Sequence, residues 1–103
     1  MGSREKRLRI ARKRRQRIAS IFDALKNHHV TIEDILETPP ECLRNVSIHQ
    51  VMLHTPQLGP EGIKRCLKAA DVWPEDKIGN IPQGARMAVV EHLPNRVRRY
   101  DPA

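Results

Sequence analysis

The residues in this chain that could do chemistry are mostly basic, and they are crowded together. Nine of the nineteen Lys and Arg residues lie between positions 4 and 17: Arg4, Lys6, Arg7, Arg9, Arg12, Lys13, Arg14, Arg15 and Arg17. Glu5 alone opposes them, so this stretch carries +8 in a chain of net charge +7. Charges of one sign at that density cannot neutralise each other, and a polyanion relieves them. Each phosphate bound also releases a condensed counterion. Double-stranded DNA is the expected partner.

A second constellation lies in the run Pro56-Gln57-Leu58-Gly59-Pro60-Glu61-Gly62-Ile63-Lys64-Arg65. Gly59 allows the backbone to approach an anion closely, and Pro60 presets the dihedral of a helix start. The N–H groups that follow, at Glu61 and Gly62, face outward from a helix N-terminus with its positive dipole end. Lys64 and Arg65, one turn later, add charge-assisted contacts. Leu58, Gly59, Pro60, Glu61, Gly62, Lys64 and Arg65 therefore form a candidate phosphate clamp that grips backbone and reads little sequence. The competing reading is a helix–turn–helix corner in which Gly59 and Pro60 only reverse the chain. Lys77 and Arg86 are the remaining basic residues assigned to DNA.

Other chemistries find less support. His28 and His29 are adjacent, His49 and His54 are five apart, and Cys42 and Cys66 form no CxxC pair, so no structural-zinc spacing occurs. No metal or other cofactor is expected. No nucleophile–base pair or Gly-rich phosphate loop can be read, and the chain is expected not to be an enzyme. With only Phe22, Trp73 and Tyr100 aromatic, single-strand binding by stacking is disfavoured. Trp73, beside Pro74, reads as a core plug. No apolar run approaches a membrane span or a signal h-region, and Leu8 and Ile10 form no membrane-facing stripe. The expected setting is the reducing cytoplasm, in association with the nucleoid, with both thiols free and the protein monomeric when unbound.

The elements that position these residues read as all-α. A long basic N-terminal helix runs from residue 4 to about 27, with Ile18, Ile21, Phe22 and Leu25 in one stripe. Its first half, with cations all round, should project as an arm over residues 1–17. A helical domain over 18–95 follows. Thr31 is an expected N-cap, as is Thr38, with Pro39 opening a stub to Arg44; Ser47 and Gln50 read as a capping box. The corner module spans 47–72, with Ile63, Cys66, Leu67 and Ala70 inward. Pro82 opens a last helix with Ala85, Val89, Val90 and Leu93 inward, and residues 96–103 read as a basic tail.

The order of these features resembles the actinobacterial, mycobacterial-type integration host factor. The resemblance is carried by Val46-Ser47, Thr55-Pro56-Gln57-Leu58-Gly59, Ile63, Ala70-Asp71-Val72-Trp73-Pro74, Ile78, Ile81, Arg86-Met87-Ala88 and Leu93, and covers roughly residues 12–93. It implies a small helical bundle with a helix–two-turn–helix module, related to the helix-hairpin-helix class. It also implies a nucleoid-associated protein that binds and bends duplex DNA with little sequence preference and assists a phage integrase complex. Where that family has an Arg-rich stretch, this chain has Glu75-Asp76-Lys77-Ile78-Gly79-Asn80, which leaves a second DNA contact without its usual residues. Two alternatives stand beside this reading. A small-subunit ribosomal protein family shares the plan, which points to structured RNA. The domain over 18–95, with seven basic and ten acidic residues, could instead serve as an adaptor for a recombinase.

Overall fold

The structure, a computed structural model, describes residues 2–94 and 97, with side chains from residue 12 onward. The fold is all-α. Its helices are α1 (Gly2–Lys26), α2 (Ile32–Glu37), α3 (Ile48–Leu53), α4 (Pro60–Ala69) and α5 (Gln83–Glu91). Single 3-10 turns occur at Glu41–Leu43 and Ile78–Asn80. Among the described residues the only β pairing is an isolated bridge between Ser47 and Lys77.

Local chemistry explains most boundaries. Helix α1 is free of Gly and Pro from residue 3 to its end. It stops in a Schellman motif, with His29 N–H on the Ala24 carbonyl at 2.8 Å and His28 in the left-handed region at φ 61. Helix α4 ends in the same way. Val72 N–H meets the Leu67 carbonyl at 2.9 Å, and Asp71 takes φ 59 where glycine is usual. Thr31 and Asp34 form a reciprocal capping box on α2. The Ser47 hydroxyl accepts from Gln50 N–H at the start of α3.

The stub expected after Thr38 is corrected. Pro40, not Thr38, is its N-cap residue, no side chain caps it, and it closes only one 3-10 turn over Glu41–Leu43. Two adjacent prolines leave too few N–H groups for an α-helical start. Pro82 likewise sits just outside α5 as its N-cap residue.

The core is aliphatic. Leu25, Ile32, Leu36, Leu43, Ile48, Met52, Ile63, Leu67, Ile78 and Val89 are fully buried. Ile18, Ile21 and Phe22 pack at its margin, so the second half of α1 lies on the body while Arg12 to Arg17 are exposed. Two segments are stitched together beside α3. Ile78 N–H donates to the Val46 carbonyl at 3.0 Å, Gly79 N–H to Arg44 at 2.9 Å, and Ile48 N–H to Asp76 at 2.9 Å. The body also runs further than residue 95, because Val97 is buried and its N–H meets the Pro94 carbonyl. The other residues of the expected tail lie outside the described residues.

Trp73 is not a core plug. It is 69% exposed, because the turn after α4 spends Val72 on the core and sends the next side chain outward.

Candidate functional site

The corner between α3 and α4 is built by backbone geometry. His54 closes α3, Leu58 N–H reaches back to the Thr55 carbonyl at 3.4 Å, and Gln57 adopts φ 66. That conformation favours glycine, so Gln57 occupies a glycine-like place without being glycine. Gly59, by contrast, has φ −78 and ψ 170, values open to any residue. A Cβ added there would meet nothing within 4 Å. Its bareness is therefore useful outward, towards solvent, and is not demanded by the fold.

The end of α4 is chemically open. Its first backbone bond runs from Ile63 N–H to the Gly59 carbonyl at 3.0 Å. Pro60 has no N–H, so the N–H groups of Glu61 and Gly62 point out from the helix end, and no side chain caps them. The other helix starts make the contrast clear. At α2 the cap is Thr31, and at α3 the donors of Ile48 and His49 are taken by the carbonyls of Asp76 and Pro74. Only α5 also lacks a side-chain cap, and the one cation in its first turns, Arg86, is turned inward. At α4, Lys64 and Arg65 are exposed beside the open end. Glu61 is exposed as well, and its carboxylate offsets part of that positive field.

The arm approaches this corner on one side. The Phe22 ring stacks on the His54 imidazole with centroids 3.9 Å apart and planes at 27°. Burial lowers the His54 pKa, Lys26 lowers it further, and Asp23 opposes both. The last turns of α1 thus lie against the start of the corner. Arg15 is seven residues before Phe22, hence two turns and roughly 10 Å back along the same side of α1. Lys13 and Arg17 lie about 140–180° away around the helix. There they line, with Glu41 and Cys42, a groove of about 490 Å³ between α1 and the first 3-10 turn. Arg14 borders the same region. Among the described residues, no ion pair engages Arg12, Lys13, Arg14, Arg15 or Arg17, so the body's own acids do not quench this charge. The side chains of Arg4, Lys6, Arg7 and Arg9 lie outside the described residues; their backbone is part of α1.

Two residues assigned from sequence stand apart. Arg86 donates from Nη1 to the Leu36 carbonyl at 2.9 Å, and its Nε is buried without a partner. It is a cation at the C-terminus of α2, favoured by that helix's dipole, and its guanidinium is committed to the body. Lys77 is exposed but pairs with Ser47 at the opening of α3, so a helix of six residues, about 9 Å long, separates it from the corner.

Cys42 and Cys66 are unbridged. The Cys66 thiol donates to the Val89 carbonyl at 3.1 Å, and burial pushes its pKa up to about 11, which makes it a packing residue and not a nucleophile. Among the described residues, no three His, Cys, Asp or Glu side chains are grouped to hold a metal ion, and no helix is long and apolar enough to cross a membrane. Thr55, whose hydroxyl is buried without a partner in the corner itself, carries no sequence signal that would have drawn attention to it. Comparison of the chain with protein-family models, curated proteins and solved structures finds no match.

Proposed function

We propose that the chain is a non-enzymatic architectural protein that binds duplex DNA through the phosphate backbone, with little sequence preference. The observation that carries the reading is the open N-terminus of α4, with exposed Lys64 and Arg65, next to a helix whose exposed cations have no internal counter-charge. Phosphates would receive the N–H groups of Glu61 and Gly62, with Lys64 and Arg65 adding charge, while Arg15 and the rest of the arm follow the same duplex. Gly59 keeps the approach clear. The resemblance to the actinobacterial integration host factor supports the same reading, and with it bending or compaction of nucleoid DNA and assistance to a phage integrase complex. Lys77 and Arg86 fall out of the primary contact set, so strong looping through a second contact is not part of the proposal.

The test is the salt dependence of binding to a short labelled duplex. With about seven phosphates neutralised, affinity falls by roughly four decades between about 50 and 200 mM salt. Replacing Arg12, Arg14 and Arg15 together by Ala weakens binding to all sequences alike and lowers the slope by about two to three. A nearly flat salt dependence refutes the proposal. Equal or better competition by duplex RNA moves the assignment to structured RNA.

A further inference from the structure

The exposed Trp73 is the chain's single tryptophan, and its backbone is fixed on the body. Its N–H donates to Asp76 Oδ2 at 3.1 Å, and its carbonyl accepts from Asp76 N–H at 3.1 Å. The carbonyls of Pro74 and Asp76 then take the N–H groups of His49 and Ile48. A large ring is thus displayed from a pinned turn, so holding it in place costs little further ordering on binding. Beside it lies a groove of about 320 Å³, with Leu67, Val72 and Pro74 as apolar lining and Lys64, Lys68 and Asp71 also bordering it.

The charges around this groove choose the class of occupant. Asp71, Glu75 and Asp76 all lie within three residues of Trp73. Those carboxylates repel a phosphate chain, so a stacked nucleic acid would meet like charge on both sides of the ring. A protein segment has no such conflict. An indole beside a small apolar recess, rimmed by polar groups, is the arrangement that dominates binding energy at protein interfaces. The two lysines along α4 complement acidic side chains. Helix α4 would then present its opening turn to phosphates and its closing turn to a protein.

We propose that this groove docks a short segment of a partner protein that presents one apolar side chain flanked by carboxylates. The apolar side chain seats against Trp73 and Leu67, and the carboxylates meet Lys64 and Lys68.

A randomised peptide-display library selected on the immobilised full chain, with the Trp73→Ala variant as counter-selection, tests this. Trp73 is exposed, so that variant keeps the helical circular dichroism and melting curve of the parent. Enrichment of sequences with an apolar residue between Asp or Glu residues is the expected result. Labelled peptides from that pool lose at least about tenfold in affinity with Trp73→Ala, and again with Lys64→Glu combined with Lys68→Glu. Their unlabelled forms shift the tryptophan emission to the blue. The proposal is overturned by enrichment that does not depend on Trp73, or by selected peptides that are basic or uncharged. It is equally overturned by a concentration-dependent dimer that Trp73→Ala abolishes, which assigns the face to a second copy. Saturable quenching of the emission by a single-stranded oligonucleotide assigns it to nucleic acid and overturns the proposal too.

Discussion

Replacing Gly59 by Val separates the phosphate clamp from a corner that merely turns the chain. The residue's φ of −78 and ψ of 170 suit an L side chain, and an added Cβ has open space around it. Valine at an N-cap position costs about 0.5–1 kcal/mol relative to better caps. The smaller freedom of the unfolded chain returns about 0.4–1 kcal/mol, so the two nearly cancel and Tm moves by no more than about 4 °C. Binding responds quite differently. An isopropyl group over the open end of α4 keeps a phosphate from the N–H groups of Glu61 and Gly62. Losing one hydrogen bond to a charged group costs about 1.5–3 kcal/mol, which is about 10- to 150-fold in Kd. Neutral amides release few counterions, so the slope of log Kd against log salt stays where the arm sets it. Fluorescence anisotropy with a labelled duplex at several salt concentrations, beside a thermal melt, reads both quantities. A folded Gly59→Val protein with unchanged Kd refutes the clamp. One that fails to fold refutes the claim that this glycine serves only the outside.

Three further perturbations test the frame around the site. His54 has a lowered pKa in the folded protein, so on acidification the unfolded chain takes up the proton first. Stability is therefore full above the ordinary value of about 6.5 and declines as pH falls below it. Melting curves across that window show the decline, and His54→Phe, which keeps a ring on Phe22, flattens it. Arg86→Met removes the bond to Leu36 and destabilises by about 1–3 kcal/mol, while duplex affinity of the folded variant is unchanged; lost affinity with an unchanged melt would return Arg86 to the DNA surface. Gly79→Ala places a Cβ 2.9 Å from Arg44 Cβ and 3.0 Å from its carbonyl oxygen. Backbone must shift there, at a cost of about 1–3 kcal/mol in denaturant titrations, and an unaltered midpoint would show that the 44–49 and 74–79 segments separate easily.

Much of the scaffold was legible residue by residue. The Ile18, Ile21, Phe22 and Leu25 stripe lies against the body, Thr31 and Ser47 cap the helices that follow them, and Ile63, Cys66 and Leu67 point inward. These are signals written in neighbours three or four residues apart, where helix geometry brings side chains together. Missed features depended on segments distant in the chain. Thr38 is a good cap by composition, yet the two prolines after it left only a 3-10 turn at Glu41–Leu43. Trp73 looked like a core residue by type, and the Schellman turn at Asp71 put Val72 inside in its place. Arg86 looked like a surface cation, and the carbonyl it serves belongs to Leu36, fifty residues earlier.

By itself the amino-acid order determined that this is a helical protein with its positive charge at one end and a glycine–proline start to its fourth helix. Composition, periodicity and capping are local, and local interactions survive without knowledge of the rest. Tertiary packing alone decided which helix start stays open, since the donors of α3 are consumed by Pro74 and Asp76 while those of α4 face solvent. It decided as well which arginines face the corner, because the Phe22–His54 stack sets the rotation of α1 on the body. Both depend on which surfaces become buried together when the chain collapses, and no run of neighbouring residues encodes that.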